Sequence, residues 1–380
     1  MITGTRNEDS NNDVLNSTKK EGACRMDGLK DPIDLRSDTV TLPTEEMLEA
    51  IKQAKLGDDV YREDPTVNRL EEIAATKIGK EAALLVTSGT QANLVSLMSN
   101  SKRGDMIILE ADSHIYWYEV GGLSSVAGLL PWLIKGKMGV IAPEDLETAM
   151  RPRDIHFPLT SMVCVENTHN RAGGTIMKPE QLKDLSKVAK ANDLKIHMDG
   201  ARIFNAAVAM GVDVKEFARH VDTLMFCLSK GLCCPVGSIV VGNSEFIDKA
   251  RKARKMLGGG MRQAGVIAAP GIVALETMIN RLADDHRNAR MLAEGFARID
   301  GISIDLEAVQ TNIIYFDIGG LGISSEILLS KLKQEGVLAS NRDKSKIRMV
   351  THRGIEREDI RKTLEVVEGI SAETREHKEN

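Results

Sequence analysis

Short apolar runs alternate with amphipathic segments from about residue 80 onward, and this alternation constrains the fold more than any other feature of the chain. The apolar runs have the length of buried strands, and the segments between them repeat apolar residues at helical spacing. The runs cover residues 82–86, 106–109, 161–165, 194–198, 223–227 and 238–241, and helical patterns cover 92–99, 179–191 and 214–220. Strands that alternate with helices predict an α/β fold, in which a mostly parallel sheet is flanked by helices in three layers.

The pattern changes near residue 275. Helical patterns over 244–255 and from Pro270 to Arg298 lead into apolar or amphipathic segments at 311–317, 324–334, 346–350 and 356–370. We therefore predict a major domain over residues 34–275, whose first segment contributes to the small domain or an interface, and a smaller α+β C-terminal domain over 276–380. Residues 1–33 are polar and contain no apolar leader sequence, so we predict a disordered extension there.

Composition and charge exclude several classes of protein. Hydrophobic residues make up 42% of the chain and charged residues 28%, and the net charge is -5, so no basic surface for nucleic acid is expected. The five cysteines are odd in number and show no metal-ligand spacing, which predicts a reduced, cytoplasmic protein without a metal site. The most hydrophobic stretch, residues 122–134, is too short to span a bilayer.

An acid and a lysine each follow a predicted strand. Asp199 comes after the run 194–198, and Lys230 comes after the run 223–227. In open α/β sheets, ligands bind at the ends of the strands. Pyridoxal phosphate requires such a pair, because the lysine forms a Schiff base with it and the acid pairs with its pyridinium nitrogen. The alternative interpretation is a structural ion pair at two strand ends.

A phosphate site is indicated where the first predicted strand meets a helix. Residues 87–93 contain Ser88, Gly89 and Thr90, and small residues at such a turn expose backbone N–H groups at the helix N-terminus. The hydroxyls of Ser88 and Thr90 can add hydrogen bonds to a phosphate. A serine N-cap with a turn glycine is the simpler alternative.

Two further segments carry candidate binding groups. His114 follows a strand and lies among three aromatic residues, where its imidazole can stack on a flat ring and transfer protons, although a lone histidine is more often structural. Gly258, Gly259 and Gly260 precede Arg262, which suggests either a hinge or a loop that brings an arginine to a phosphate. Other arginines near turns or strand ends can bind a carboxylate through two hydrogen bonds, and they are Arg36, Arg202 and Arg348.

Taken together, the motifs resemble the low-specificity L-threonine aldolases, which are fold type I (aspartate-aminotransferase-like) enzymes that use pyridoxal phosphate. The similar stretches are residues 34–41, 57–61, 88–93, 114–119, 166–170, 197–205, 229–232, 255–263 and 348–352. They span residues 34 to about 360 in the order found in the family. The resemblance implies a major domain like that of the transferases that depend on pyridoxal phosphate.

The resemblance also implies which residues bind the cofactor. Lys230 corresponds to the lysine of the Schiff base, Asp199 to the partner of the ring nitrogen, and His114 to the residue stacked on the ring. Arg202 lies in the same set, and Arg262 corresponds to an arginine from a neighbouring subunit. The phosphate loop corresponds to Ser88, Gly89 and Thr90.

For the substrate, the resemblance implies a carboxylate site and a proton acceptor. The carboxylate is held by Ser37, Arg202 and Arg348, with help from Lys255. His114, His156 or a water between them accepts the proton of the β-hydroxyl. The implied protein is a homotetramer, a dimer of dimers, that acts on a small amino acid.

The reaction implied is the cleavage of L-threonine, L-allo-threonine and other L-3-hydroxy amino acids to glycine and an aldehyde. A related lyase or an alanine racemase could use the same lysine and acid, and a protein that binds the cofactor without catalysis is the remaining alternative. These alternatives differ in their products, which are acetaldehyde, D-alanine or none.

Overall fold

The chain is described here by a computed structural model that covers residues 32–379, with side chains up to residue 376. The predicted disordered extension lies outside the described residues, apart from its last two positions. Within the described part, the strands are β1 (Ile33–Asp34), β2 (Ala82–Val86), β3 (Met106–Glu110), β4 (Leu130–Ile134), β5 (Thr160–Glu166), β6 (Lys195–Asp199), β7 (Thr223–Cys227), β8 (Ser238–Gly242), β9 (Ile313–Asp317), β10 (Val337–Leu338), β11 (Ser340–Asn341) and β12 (Lys346–Val350).

Helices connect and cover these strands. The α-helices are α1 (Glu45–Gln53), α2 (Pro65–Ile78), α3 (Gly89–Asn100), α4 (His114–Trp117), α5 (Gly122–Ser125), α6 (Pro143–Ala149), α7 (Pro179–Ala191), α8 (Ile203–Met210), α9 (Lys215–Ala218), α10 (Ser244–Met256), α11 (Gly265–Val273), α12 (Leu282–Phe296), α13 (Ser325–Gln334) and α14 (Arg357–Glu379). Shorter 3₁₀ turns lie at Asp38–Val40, Asp59–Tyr61 and Gly319–Leu321, and a π-helical turn lies at Ala274–Met278.

The central sheet has seven strands in the order β2, β8, β7, β6, β5, β3, β4. β8 is antiparallel to both of its neighbours, and the other neighbouring pairs are parallel. Six strands therefore run in one direction, and their carboxyl ends meet at one edge of the sheet. The predicted α/β fold with a mostly parallel sheet is confirmed.

Helices cover both faces of this sheet because most residues of its strands, apart from those of β4, are apolar and buried. Phe226 of β7 packs in a cluster with residues of α2, α7, α8 and α11. Met225 and Cys227, its neighbours in the strand, point to the other face and pack with residues of α3 and α10. This alternation is expected for a strand buried on both sides, and it produces the three layers.

A second, antiparallel sheet near the C-terminus consists of β11, β12 and β9. A separate hydrophobic cluster joins its buried side chains to α12, α13 and α14, and Ile33 and Leu35 belong to the same cluster. β1 pairs in parallel with β10, so the start of the described chain is bound to this region. The predicted domain boundary near residue 275 stays a prediction.

Three differences from the sequence prediction concern the central sheet and the helices around it. β4 is not among the predicted strands; it contains Pro131, which lacks an N–H, and it lies at the edge of the sheet, where a strand pairs on one side only. The predicted helix over 214–220 shortens to α9. The predicted continuous helix from Pro270 to Arg298 is wrong, because the π-helical turn and a break at residues 279–281 separate α11 from α12. Apolar residues continue through that break, so periodicity alone does not reveal it.

Within the described residues, no single helix has the length and apolar composition needed to cross a membrane. The segments Gly265–Met278 and Leu282–Phe296 reach that composition only as a pair bent by 68°.

Candidate active site

The carboxyl edge of the central sheet gathers the charged groups of the site. Asp199 is the last residue of β6, Glu166 is the last residue of β5, and Lys230 follows β7 by three positions. His114 begins α4, shortly after β3 ends. Because parallel strands end at one edge, groups that are far apart in sequence meet here.

Asp199 is a buried carboxylate with fixed partners. Its Oδ2 accepts a hydrogen bond of 2.8 Å from Nδ2 of Asn93, and its Oδ1 accepts one of 3.0 Å from the backbone N–H of Ala201. Burial alone would raise the pKa of Asp199, but the charges of His114 and Lys230, with the bond from Asn93, hold the pKa below its usual value. A carboxylate that stays ionised in this way favours a cation beside it.

A chain of hydrogen bonds behind Asp199 fixes its orientation. Asn93 donates to Asp199, so its Oδ1 is free to accept from Nε2 of His197 at 3.1 Å. The other ring nitrogen of His197 lies 3.0 Å from Oγ1 of Thr223, which also accepts from Asn100. A neutral ring that carries its proton on Nε2 can accept the hydroxyl proton of Thr223 at Nδ1, which satisfies all of these groups. Burial lowers the pKa of His197 to about 4, in agreement with that neutral state.

A second carboxylate, Glu119, holds His114. Its Oε1 lies 2.9 Å from Nδ1 of His114 and accepts a 2.7 Å bond from Asn93. The backbone N–H of His114 donates to Glu166 at 2.7 Å. Burial alone would lower the pKa of His114, but the bond to Glu119 and the charge of Asp199 raise it. The imidazole is therefore fixed in place and made more basic.

His114, Glu119 and Asp199 lie close enough together to be considered as metal ligands, since their ligand atoms are within 4.8 Å of one another. Asn93 already bridges the two carboxylates through one amide nitrogen, and Glu119 is already bonded to His114. The arrangement is accounted for by these hydrogen bonds.

The N-terminus of α3 opens toward the same edge. Ser88 caps the helix by accepting from the backbone N–H of Gln91 at 3.2 Å, and both Ser88 and Thr90 are exposed. A Cβ at Gly259 would lie 2.4 Å from Nε2 of Gln91, so the glycine-rich loop packs directly against this turn. The first N–H groups of a helix and its dipole favour an anion at such a position.

Two arginines lie beside these groups: Arg202 follows the end of β6, and Arg348 comes from β12 of the second sheet. Arg202 binds Asp38 through two hydrogen bonds of 2.6 Å, and both side chains are buried. Arg348 donates to the carbonyl of Arg36 and to Oδ1 of Asn170, each at 2.9 Å. Its Nε is buried without a partner, and burial with the nearby charge of Arg202 lowers the pKa of Arg348. A guanidinium in this state is stabilised by an anion.

Two adjoining cavities lie between these groups. The larger one, about 330 Å³, is lined by Ser37, Thr39, His114, Tyr118, Asn170, Arg171, Arg202, Lys230, Tyr315, Ser340, Asn341, Arg342 and Arg348. The smaller one, about 20 Å³, is lined by Gly89, Asn93, His114, Glu119, Glu166, Asn170, Asp199, Ala201, Arg202, Met225, Cys227 and Lys230. His114, Arg202 and Lys230 border both cavities. One ligand can therefore contact the buried acid and the arginines together.

Several residues of the smaller cavity suit the cofactor implied by the sequence. A Cβ at Gly89 would lie 3.0 Å from Sγ of Cys227 and 3.3 Å from Cε of Met225, so the glycine keeps this space open. Lys230, the ionised Asp199 and the start of α3 supply an amine, an anion and a phosphate site. The donor set fits pyridoxal phosphate.

Five predicted site residues lie outside both cavity linings, of which Ser88 and Thr90 lie in the turn at the start of α3 and the other three are exposed elsewhere. His156 is 83% exposed, and its backbone N–H donates to Asp154. Lys255 is exposed in the last turn of α10. Arg262 is 57% exposed and pairs with Asp58 at 2.8 Å. The remaining predicted residues line a cavity.

The site also contains four residues for which no role was predicted, namely Asn93, Glu119, Glu166 and Asn170. Each lies within a stretch that carries the family resemblance. Glu166 ends β5 and Asn170 follows it by four positions, Asn93 lies in α3, and Glu119 follows the end of α4 by two positions. For Asn93, the available signal was its place in residues 88–93, which carry the resemblance.

Several known proteins similar to this chain are named low-specificity L-threonine aldolases. The beta-eliminating lyase family matches residues 34–318. Low-specificity L-threonine aldolase 1 of Arabidopsis thaliana is 44% identical over 337 residues, covering 87% of this chain and 94% of that protein. The low specificity L-threonine aldolase of Escherichia coli K12 is 42% identical over 329 residues, covering 86% and 96%.

Two further similarities concern the fold and an alternative activity. The solved structure of a threonine aldolase from Leishmania major superposes with a TM-score of 0.78 at 19% identity, covering 90% of this chain and 100% of that one. A protein of Cochliobolus carbonum named alanine racemase TOXG is 34% identical over 349 residues, covering 89% of this chain and 87% of that protein.

Proposed function

The chain belongs to the beta-eliminating lyase family and to the threonine aldolases within it, and from this membership we propose that it cleaves L-threonine and L-allo-threonine to glycine and acetaldehyde. Other L-3-hydroxy amino acids give glycine and the corresponding aldehyde. The enzyme is a carbon–carbon lyase. The observation that carries the proposal is the buried Asp199 beside Lys230, at the bottom of a cavity into which arginines project.

Pyridoxal phosphate, when bound, supplies the electron sink that allows the Cα–Cβ bond to break. Lys230 would hold it through its amine, Asp199 would keep its ring nitrogen protonated, and His114 would contact its ring. The start of α3 would bind its phosphate through Ser88, Gly89 and Thr90. Arg262 would contact the phosphate in a neighbouring subunit, a role for which its 57% exposure is suitable.

The substrate carboxylate binds between Arg202 and Arg348, with Ser37 beside them and Lys255 assisting. Arg348 suits this role because its buried Nε lacks a partner. Arg202 is already held in place by Asp38. A carboxylate fixed at this end of the cavity orients the rest of the amino acid, and correct orientation accounts for a large share of the rate.

The proton of the β-hydroxyl passes to His114, to His156 or to a water between them. Glu119 fixes His114 and raises its pKa, which makes the ring a stronger base. The exposure of His156 suggests that it acts across a subunit contact, since it lines neither cavity of its own chain. Replacing either histidine with asparagine should lower kcat by about tenfold or more if that residue accepts the proton.

We also propose a homotetramer, built as a dimer of dimers, that works in the cytoplasm in threonine breakdown and glycine formation. Large exposed apolar side chains at β4 and near His156 support an assembly, namely Leu130, Trp132, Leu133, Ile155 and Phe157. No nucleic acid or membrane partner is proposed. Sedimentation or light scattering of the cofactor-loaded protein measures the number of subunits.

The test of the function combines products and cofactor absorbance. The protein is incubated with L-threonine, L-allo-threonine and L-alanine, and acetaldehyde, glycine and D-alanine are measured. Acetaldehyde and glycine in equal amounts are expected. In Lys230→Ala, the visible absorbance of lysine-bound cofactor should disappear, and its retention would mean that another residue binds the cofactor.

The racemase is the second candidate, because a relative that bears that name matches most of the chain. D-alanine without acetaldehyde would establish it. A cofactor spectrum that does not respond to glycine or threonine would instead indicate a protein that binds the cofactor without catalysis.

A further inference from the structure

Part of the larger cavity has a wall made of two arginines and two tyrosines. We call Arg171, Arg342, Tyr118 and Tyr315 the basic wall; all four line the cavity together with Arg348. Nη1 of Arg171 donates to the hydroxyl of Tyr118 at 3.2 Å, and Arg342 donates to the carbonyl of Arg171. The guanidinium of Arg342 lies 5.4 Å from the ring centre of Tyr315. The four side chains thus form one contiguous surface.

The basic wall is short of negative charge. Arg171 lies 3.0 Å and Arg342 lies 3.7 Å from the same carboxylate oxygen of Asp112. Among the described residues that line the larger cavity, none is acidic. Two guanidiniums therefore share one carboxylate, and one positive charge faces the cavity without a matching negative charge.

The other cations of the cavity are already assigned. Arg202 is neutralised by Asp38, Lys230 binds the cofactor, and Arg348 receives the carboxylate of the substrate backbone in the proposed function. The unmatched positive charge on the basic wall is therefore not needed to bind threonine. The methyl group of threonine has no favourable interaction with a guanidinium.

From this charge arrangement, and on the basis of the proposed function, we propose that the enzyme takes L-3-hydroxy amino acids that carry a second carboxylate on the β-carbon. Arg171 and Arg342 bind that second carboxylate, for which the guanidinium provides a planar pair of donors. The side chains of Arg171 and Arg342 are 21% and 27% exposed, so water screens the interaction only in part.

The chemistry stays within that of the aldolase. The Cα–Cβ bond breaks, the β-hydroxyl gives up its proton, and the β-carbon becomes the aldehyde carbon of a 2-oxo acid. Cα gains a proton and leaves as glycine. No oxidant or reductant is needed, since the electron pair of the broken bond stays with Cα until that proton arrives.

A pair of nearly isosteric substrates tests the proposal. L-3-hydroxyaspartate carries the second carboxylate, and L-3-hydroxyasparagine replaces it with a neutral amide. We expect kcat/KM of the cofactor-loaded enzyme to be about tenfold or more higher for the acid, because charge-assisted hydrogen bonds are about twice as strong as neutral ones. In Arg342→Met and Arg171→Met, the ratio of the two values should fall toward one. Arg361→Met is the matched control, since Arg361 is exposed on α14 and pairs with Glu358.

Binding provides a second measurement that does not depend on turnover. L-aspartate and L-asparagine differ by the same charge and lack the β-hydroxyl, so they are not cleaved. Calorimetric titration of the cofactor-loaded protein should give a lower Kd for aspartate than for asparagine, and this difference should vanish in Arg342→Met but persist in Arg361→Met.

The possible results are distinguishable. Cleavage of threonine with equal or better use of the amide would overturn this proposal and leave the aldolase function intact. A preference for phenylserine over both would show that the tyrosines select an aromatic group, which also overturns it. Absence of cleavage for every 3-hydroxy amino acid would refute the proposed function itself.

Discussion

The buried ion pair of Asp38 and Arg202 allows a direct test of how much a buried charge at the active site contributes to the stability of the fold. Asp38 is fully buried, the side chain of Arg202 is 5% exposed, and two hydrogen bonds of 2.6 Å join them. Asn312 adds a bond of 3.2 Å to the same carboxylate. The pair thus ties the segment after β1 to the end of β6 and to the start of β9.

Asp38→Asn keeps the volume of the side chain but removes its charge. Arg202 then remains buried with no counter-ion, and breaking a buried pair in this way costs about 3–5 kcal/mol. Asp300→Asn is the matched control, because Asp300 and Arg375 form the same type of pair at 2.7 Å with 80% and 49% of their side chains exposed. Exposed pairs contribute only about 0–1 kcal/mol.

Equilibrium unfolding in urea, followed by far-UV circular dichroism at fixed protein concentration, measures both variants against the parent. A double variant, Asp38→Asn with Arg202→Gln, should be less destabilised than the sum of the two single changes, since the uncompensated charge is gone. If Asp38→Asn lowers the free energy of unfolding no more than Asp300→Asn does, burial does not determine how much such a pair contributes to stability, and the prediction is wrong.

The remaining predictions concern a helix and two histidines. Gly369→Ala should raise the free energy of unfolding by about 0.5–1 kcal/mol, because a Cβ at this exposed position in α14 meets nothing within 4 Å; a decrease in denaturation experiments would contradict this. The pKa of His197 is about 4 in the folded protein and about 6.5 when unfolded, so the unfolded state binds the extra proton between these values. The stability contributed by neutral His197 is complete above pH 6.5 and is lost by about 1.4 kcal/mol per pH unit as the pH falls toward 4. His197→Gln should therefore reduce the slope of the free energy of unfolding against pH by the equivalent of one proton. Glu119→Gln should lower the pKa of His114. The acid limb of the pH profile of kcat/KM and the NMR titration of the His114 ring should then both move to lower pH. A titration that does not move would show that Glu119 does not control the pKa of the ring.

The sequence predicts the strands of the central sheet well because the fold buries them on both faces. Residues 82–86 and 223–227 coincide with β2 and β7, and the other predicted strands differ from the observed ones by one or two residues at an end. β4 is missed because an edge strand tolerates Pro131 and exposes much of its surface. The break between α11 and α12 is missed because apolar residues run through it.

The candidate site could be anticipated only in part. Strand ends give the positions of Asp199 and Lys230, because ligand-binding residues follow buried runs in this type of fold. The bridging roles of Asn93 and Glu119 depend on contacts between elements that are distant in sequence, and no local pattern encodes them. The surplus charge shared by Arg171 and Arg342 likewise becomes visible only when two parts of the chain meet at Asp112.

The reversed direction of β8 has a consequence for the order of folding. Because β7 and β8 are antiparallel neighbours, Lys230 lies on a short connection, which closes where the N–H of Leu228 donates to the carbonyl of Gly237 at 3.0 Å. Asn93, His114 and Asp199 reach the lysine only through long crossovers, which close later because loop entropy and sequence separation slow them. During refolding, the visible absorbance of lysine-bound cofactor should therefore appear after the far-UV signal has recovered. The cofactor would then report on completion of the slowest connections in the chain.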